Sequence, residues 1–194
     1  MDTLLRETVN AVVNSRFPEM SIEGRRQIES ILIREEFPKG AIALNEGEVA
    51  HEIVFVGKGM LRQNYYKNGI DVTDHFTYVG CIEMCIESFL KQVPTRLIVE
   101  TLEPSIIYLF PRDMIQKLAK ENWEINMFYQ KILEYSLIVS QIKADSWRFE
   151  SARERYNLLL ETHPEIIKRA PLAHIASYLL MTPETLSRVR SGVL

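Results

Sequence analysis

The feature of this sequence that most constrains its fold is the uneven distribution of glycine. Six of the eight glycines lie in one stretch, from Gly40 to Gly80. Between them are short segments rich in β-branched and aromatic residues, such as 52–56 and 61–66. Turn residues at intervals of roughly 8–12 positions between such segments are typical of an antiparallel sandwich or jelly roll. The sequence therefore predicts a β domain over about residues 34–110.

Local signals within this region predict where its strands begin and end. Lys67, Asn68 and Gly69 form a hairpin signal, because asparagine and glycine tolerate the positive φ angles of a tight turn. The segment 101–110, which is followed by Pro111, is interpreted as the last strand of the domain.

Helical patterns flank the β domain on both sides. From Met1 to about Ile33, apolar residues recur at helical spacing, and Ser21 is predicted to cap the second of two helices. Another short helix is predicted over 113–120, after the last strand. These helices carry no residues that indicate chemistry, so we interpret them as packing elements.

A long amphipathic pattern follows, over residues 121–147. Its apolar residues succeed one another at steps of 3, 4, 3, 4 and 3, which is the spacing of a heptad seam. A stripe this narrow favours a dimerisation helix, and packing of the helix on its own β domain is the second interpretation. The predicted dimer seam consists of Ile125, Phe128, Ile132, Tyr135, Val139 and Ile142.

The last segment contains a helix-turn-helix pattern. Leu172, Ile175 and Leu179 give one apolar helical face, and Thr182 followed by Pro183 marks the start of a second short helix. The second helix of such a pair can enter the major groove of DNA. A plain helical hairpin that packs on the fold is the alternative. The residues predicted to face DNA are Thr182, Glu184, Thr185, Ser187, Arg188 and Arg190.

Composition and charge narrow the class of protein further. Hydrophobic residues make up 46% of the chain, which is typical of a globular protein and excludes a disordered one. The formal net charge is −3, yet the segment from residue 147 onward carries seven basic and five acidic residues, a local charge of +2. This distribution is compatible with a polyanionic partner.

The sequence also excludes several functions. It has no apolar run long enough to span a membrane and no signal-peptide pattern, so we expect a cytoplasmic protein that does not bind a membrane. Cys81 and Cys85 are too few for a four-thiolate site, and the four histidines are isolated, so we predict no metal and no cofactor. Because neither a nucleophile elbow nor a phosphate loop is present, we predict that the protein is not an enzyme.

The order of these features resembles the Crp/Fnr family of bacterial transcription regulators. The β region is similar to the family's cyclic-nucleotide-binding-like domain at 39–40, 45–48 and 53–62. The C-terminal segments 175–179 and 182–188 are similar to the family's DNA-reading unit, and look closest to members from a Bacteroidetes-like branch. The resemblance covers nearly the whole chain.

The resemblance implies an α+β fold and a division into three parts. These are a sensor domain over 1–120, a dimerisation helix over 121–147 and a helix-turn-helix domain over 148–194. The sensor would be a double-stranded β-helix, or jelly roll, with flanking helices. The implied function is that of a homodimeric regulator whose partner is double-stranded DNA.

The short distance between Arg190 and the end of the sequence leads to one further expectation. We expect the helix-turn-helix domain to lack the β-hairpin wing that many members of the family carry. The alternative function is a ligand-binding β-roll protein whose truncated C-terminal hairpin no longer binds DNA.

The resemblance also implies roles for residues of the second short helix. Of the positions that match base-contacting residues, Pro183 cannot hydrogen-bond a base, Glu184 can accept from cytosine, and Arg188 can bind guanine bidentately. Leu180 lies where the family usually has glycine, and leucine at positive φ is strained. The residues expected to touch phosphates, or to steer toward them, are Thr182, Thr185, Ser187, Arg190 and Arg169.

The ligand pocket departs from the pattern of the members that bind cyclic AMP, in which Gly-Glu precedes an arginine and a small hydroxyl residue. Here Gly80 is followed by cysteine, and the nearest acid is Glu83. The arginine position falls on Thr95, and strand alternation points Arg96 to the opposite face. A buried phosphate would then lack its counter-charge. We predict that the β-roll does not bind cyclic AMP, and that any effector is an unidentified small molecule.

Overall fold

Within residues 2–193, which the computed structural model describes, the chain forms nine helices and eight strands. The helices are α1 (Thr3–Arg16), α2 (Ile22–Ile31), α3 (Ile86–Lys91), α4 (Arg112–Glu121), α5 (Trp123–Phe149), α6 (Ala152–Thr162), α7 (Pro164–Arg169), α8 (Leu172–Tyr178) and α9 (Pro183–Arg190). The strands are β1 (Ile33–Phe37), β2 (Ile42–Leu44), β3 (Glu52–Lys58), β4 (Met60–Lys67), β5 (Ile70–Tyr78), β6 (Ile82–Glu83), β7 (Ile98–Thr101) and β8 (Ser105–Pro111).

The strands form two four-stranded antiparallel sheets that face each other. Their strand orders are β1-β8-β3-β6 and β2-β7-β4-β5, so neighbours in space are mostly distant in sequence. In the first sheet Phe55 lies opposite Tyr108, and in the second Arg62 lies opposite Glu100. This arrangement is the predicted jelly roll, which we call the β-roll, and it occupies the region where the glycines cluster.

Local chemistry explains the turns of the β-roll. Asn68 and Gly69 adopt φ angles of 53° and 77°, so the predicted hairpin between β4 and β5 is confirmed. The prediction of one strand over 101–110 is wrong, because β7 ends at Thr101 and β8 begins at Ser105. Pro104 lies in the bend between them, where a residue without an N–H does not interrupt a ladder of hydrogen bonds.

The core of the β-roll lies between the two sheets and under helices α1 and α5. Phe55 contacts Phe110 and Phe128 edge to face, with ring centroids 5.6 and 6.3 Å apart. Val9 and Val12 of α1 are fully buried in the same cluster. The long helix is therefore anchored to the β-roll through its first half.

The helices at the ends of the chain follow the predicted pattern of caps. Ser21 accepts a hydrogen bond from the Gly24 N–H at 3.0 Å, which confirms the predicted cap of α2. Helix α4 spans Arg112–Glu121 and contains the predicted helical segment 113–120. Among the residues that the structure describes, no helix combines the length and the apolar character needed to cross a bilayer.

The C-terminal helices α6–α9 pack against the second sheet through a separate apolar cluster. Met60 and Phe76 from the sheet meet Ile166 and Ile175 from the helices, and all four are buried. Polar contacts extend this surface along β5, which lies at the edge of its sheet. The Thr73 N–H donates to Ser177 Oγ at 2.9 Å, and Ser177 Oγ lies 3.4 Å from the Asp71 carbonyl oxygen.

Candidate nucleic-acid interface

Helices α8 and α9 form a helix-turn-helix unit on a small apolar core. Ile175 and Ala176 of α8 and Leu186 of α9 are buried together with Leu159 of α6 and Ile166 of α7. Helices α6, α7 and α8 therefore pack against the apolar side of α9. Its opposite side is left at the surface of the molecule.

The turn between the two helices closes through the end of α8. The Leu180 N–H donates to the Ser177 carbonyl and the Met181 N–H to the Ala176 carbonyl, each at 3.0 Å. This is a Schellman arrangement, which needs a left-handed residue. Leu180 supplies it with a φ of 53°, although leucine carries a steric penalty there. The left-handed position of this turn is thus occupied by leucine instead of glycine.

The start of α9 is capped as the sequence predicts. Thr182 is the N-cap, and its hydroxyl accepts a hydrogen bond from the Thr185 N–H at 3.2 Å. Pro183 occupies the first helical position, where the missing N–H costs no hydrogen bond. The helix therefore begins at a fixed residue, which sets the direction of the side chains that follow.

Of the predicted DNA-facing residues, Glu184 and Arg188 lie on the side of α9 opposite to the buried apolar residues of this helix. Thr185 is half-buried, whereas the other predicted residues are exposed. Hydrogen bonds from its own backbone N–H and from the Thr182 hydroxyl lower the pKa of Glu184, so this carboxylate is ionised at neutral pH. Glu184 and Arg188 are one helical turn apart, and the helix ends with the second cation, Arg190.

Arg169, which was expected to touch phosphates or steer toward them, is held within the protein by an ion pair. Its guanidinium donates to both carboxylate oxygens of Glu103, at 2.9 and 2.7 Å, and to the Gly59 carbonyl at 2.9 Å. The Glu103 pairing raises the pKa of Arg169. This arginine therefore joins α7 to the β-roll.

The four predicted ligand residues do not converge on one cavity. Thr95 and Arg96 border a cavity of about 610 Å³ beside α3, but Thr95 is buried and Arg96 is exposed. Gly80 forms the turn between β5 and β6, with a φ of 83°. The charged residues along the cavity have mixed signs, namely Glu46, Lys67, Asp74, Glu87 and Arg96.

Glu83 does not line this cavity and is only 2% exposed. Its carboxylate accepts hydrogen bonds from Gln63 Nε2 at 2.7 Å and from the Thr77 hydroxyl at 2.5 Å. Burial raises the pKa of Glu83 to about 7. It borders a smaller cavity of about 140 Å³, between the β-roll and α5, which Lys143 and Tyr135 also line.

The predicted dimer seam divides into two parts. Its first three residues are buried in the protein's own core: Ile125, Phe128 and Ile132. Further along α5, Tyr135 is 43% and Ile142 55% exposed, and Val139 is half-buried. Leu137 and Ile138, which the seam leaves out, are 70% and 56% exposed. Packing on the chain's own β domain, the second interpretation, is therefore confirmed for the first half of α5, and the dimer seam stays a prediction for the second half.

A polar network between the β-roll and α8 was not predicted from the sequence. Arg62 of β4 is 1% exposed and forms ion pairs with Asp71 and Glu100, the latter at 3.0 Å. One guanidinium nitrogen of Arg62 lies 2.6 Å from His174 Nδ1 in α8. Burial and the Arg62 charge lower the pKa of His174, which keeps the ring neutral so that it can accept this hydrogen bond.

No signal in the sequence indicated this network, because Arg62 lies in a strand that also contains other polar residues. Arginine is common on the solvated face of a sheet, so its presence in a strand does not by itself predict a buried network. Arg62 and His174 are 112 residues apart, so no local pattern links them. A second contact of this type joins the Tyr78 hydroxyl to His163 Nδ1 at 2.8 Å.

No protein-family model matches the sequence, and no curated protein matches it. Solved structures do match the fold. FixK2 from Bradyrhizobium japonicum is similar with a TM-score of 0.71 at 19% identity, over 84% of each chain. The catabolite activator protein of Thermus thermophilus is similar with a TM-score of 0.57 at 18% identity, over 94% of this chain and 86% of that one.

A third similar structure comes from a Eubacterium rectale protein assigned to the Crp/Fnr family of transcriptional regulators. Its TM-score is 0.66 at 14% identity, over 91% of this chain and 84% of that one. At such identities the likeness establishes the fold. The chain therefore has the predicted α+β architecture, in which a cyclic-nucleotide-binding-like jelly roll is followed by a long helix and C-terminal helices.

Proposed function

We propose that this chain is a transcription regulator of the Crp/Fnr type, and not an enzyme, and that it binds double-stranded DNA through α9. The observation that carries the proposal is the outer side of α9, where Glu184, Ser187, Arg188 and Arg190 lie exposed on a helix buried by its other side. Side chains of these types at the start of such a helix can read bases and hold phosphates. The Bacteroidetes-like branch is part of this proposal and rests on the motif 182–188.

Selection from random DNA tests the proposal and the role of each arginine. If Arg188 binds a guanine, Arg188→Ala is expected to reduce the binding free energy at the selected site by about 1–3 kcal/mol. It is also expected to relax the base preference at one base pair per half-site. Arg190→Ala is expected to weaken binding to all DNA sequences alike. It is also expected to reduce the slope of log affinity against log salt concentration by about one unit. An enriched inverted repeat that Arg188→Ala leaves unchanged contradicts the assignment of Arg188. No enrichment by the wild-type protein contradicts DNA binding itself.

We propose further that the protein acts as a homodimer through the second half of α5. Leu137, Ile138 and Ile142 place apolar surface on one stretch of this helix, and burying such surface against a second copy is favourable. Two copies of α9 would then contact half-sites about 34 Å apart.

Sedimentation velocity distinguishes this dimer from a monomer. Ile142→Glu places a charge in the proposed interface and is expected to give a monomer, because an unpaired buried carboxylate is unfavourable. Gln130→Glu is the matched control, since it adds the same charge at an exposed position in the first half of α5. A wild-type protein that is monomeric at micromolar concentration contradicts the proposal.

We propose that the β-roll acts as a sensor and that it does not bind cyclic AMP. Support comes from the position of Arg96, which is exposed, and from the mixed charges around the cavity beside α3. Isothermal titration with millimolar cyclic AMP is expected to give no saturable heat. A micromolar dissociation constant would contradict this part of the proposal and leave DNA binding unaffected.

A further inference from the structure

The connection between α5 and the helix-turn-helix unit is made by few direct contacts. A cavity of about 330 Å³ lies between the last turns of α5 and helices α6 and α8, and Trp147, Leu158 and Tyr178 are among the residues that line it. Side-chain packing therefore does not fill the space that would fix the angle between α5 and the C-terminal helices. Polar contacts across the junction must contribute to that angle.

Arg155 of α6 makes two such contacts. Its Nε donates to the Leu179 carbonyl at 2.8 Å, and its Nη1 donates to the Glu150 carbonyl at 2.6 Å. Glu150 is the C-cap residue of α5, and Leu179 is the C-cap residue of α8. One half-buried guanidinium thus joins the C-terminal ends of the two helices.

The chemistry of arginine suits this position. Carbonyl groups at the end of a helix carry partial negative charge and lack partners within the helix. A guanidinium presents several donors in a rigid plane, so it can hold two carbonyls at a fixed separation. A lysine ammonium is a flexible point charge and does not impose this geometry.

The same contact bears on the turn of the helix-turn-helix unit. Leu180, directly after Leu179, has the unfavourable left-handed conformation. Holding the Leu179 carbonyl fixes the chain where α8 passes into that turn, and α9 begins three residues later, at Pro183. A movement of Arg155 relative to Glu150 is therefore transmitted to the start of α9.

We propose that Arg155 is a positioning residue that sets the orientation of α9 relative to α5. This inference rests on the proposed function, because its consequence is the spacing at which the two α9 helices of a dimer meet DNA. Arg155 itself does not contact DNA. It determines which separation of half-sites fits the protein.

The main experiment measures binding to inverted repeats whose half-sites are moved apart one base pair at a time. The variants are Arg155→Gln, Arg155→Lys and Arg153→Gln, the last a control on an exposed arginine of the same helix. Wild type and Arg153→Gln are expected to prefer one spacing by about tenfold or more over its neighbours. Arg155→Gln and Arg155→Lys are expected to flatten this preference, and to keep the wild-type affinity for a single half-site.

Two outcomes overturn the inference while wild type still binds DNA. One is an unchanged spacing profile in Arg155→Gln. The other is an equal loss of affinity for single and paired half-sites, which would place Arg155 in DNA contact or in folding of the unit. Restoration of the profile by Arg155→Lys would show that charge alone suffices, and would overturn the role of the guanidinium.

Amide hydrogen exchange without DNA keeps the inference separate from the proposed function. Arg155→Gln is expected to raise exchange at residues 150 and 179–181, with no change at the buried Leu186 of α9. If the wild-type protein binds no DNA, the proposed function fails, and this exchange pattern alone decides whether Arg155 holds the junction. Unchanged exchange at those residues overturns the inference.

Discussion

The interior of the β-roll and the surface where the C-terminal helices dock differ in the kind of contact that holds them. The interior is apolar and contains fully buried aromatic rings such as Phe55 and Phe110. The docking surface combines a small apolar cluster with buried charges, chiefly Arg62 and its partners. The first type of contact is lost only when the domain unfolds. We expect the second type to break while the β-roll and the C-terminal helices each remain folded.

The docking surface also satisfies its polar groups less completely. Arg62 Nε, Asn64 Oδ1 and Thr73 Oγ1 are buried without a hydrogen-bond partner among the described residues. Buried polar atoms of this kind reduce the net stability of a contact. From this comparison we expect a rigid β-roll and a group of C-terminal helices that separates from it at modest cost.

The largest effect is expected from a cavity in the interior of the β-roll. Phe55→Ala removes a fully buried ring and is expected to lower the free energy of unfolding by about 3–5 kcal/mol. Urea denaturation measures this loss. Tyr66→Ala is the control, because this aromatic residue is 60% exposed and its loss changes little. Equal effects of the two substitutions would contradict the contrast between core and surface.

A smaller and more local effect is expected at the docking surface. Arg62→Met leaves Asp71 and Glu100 without their cation, at a cost of about 2 kcal/mol because both carboxylates retain some contact with solvent. Hydrogen exchange is expected to accelerate in α8, with β8 unchanged. Lys58→Met, on an exposed residue of β3, is the control. Acceleration in β8 would mean that the two regions are not separable.

Acidification provides a third test, through His174. Its pKa is lowered in the docked state by burial and by Arg62, while Asp71 opposes the shift. Docking is therefore fully stable above the ordinary histidine value of about 6.5 and weakens as the pH falls below it. The expected loss is about 1 kcal/mol, the net value of one hydrogen bond. Hydrogen exchange of α8 measured at pH 7.5 and at a pH near 5.5 should show it in wild type and not in His174→Gln.

The smallest effect is expected at the turn before α9. Leu180→Gly relieves the left-handed leucine and is expected to stabilise the C-terminal domain by on the order of 0.5 kcal/mol, since glycine also gains freedom in the unfolded chain. Leu180→Ala keeps the steric penalty and is the control. Thermal unfolding of wild type and the two variants measures the difference in stability. A lower stability of Leu180→Gly than of wild type would contradict the inference that Leu180 is strained.

Features set by neighbouring residues could be predicted from the sequence. The Asn68–Gly69 turn and the Thr182 cap depend on backbone chemistry within a few residues, and both are present. The break at Pro104 was missed, although proline within an apparent strand is itself a signal. The apolar residues of α5 could not be assigned to one partner, because the same period suits a core or a second chain.

The candidate site shows the same limit. Helical geometry predicted that Glu184 and Arg188 share one face of α9, and both are exposed, whereas their contact with DNA stays a prediction. The Arg62–His174 contact and the Arg169–Glu103 pair join residues far apart in sequence. Only the folded chain brings such residues together, and nothing in their local sequence distinguishes them from surface charges.

The contact of Ser177 with the edge of β5 has one more consequence. A strand at the edge of a sheet offers free N–H and C=O groups on which another strand can assemble. While α8 is docked, its serine occupies the Thr73 N–H and lies beside the Asp71 carbonyl. If the C-terminal helices separated from the β-roll, this edge would be exposed to other molecules. The docked helix therefore covers part of this edge, and conditions that release it are expected to favour self-association of the β-roll.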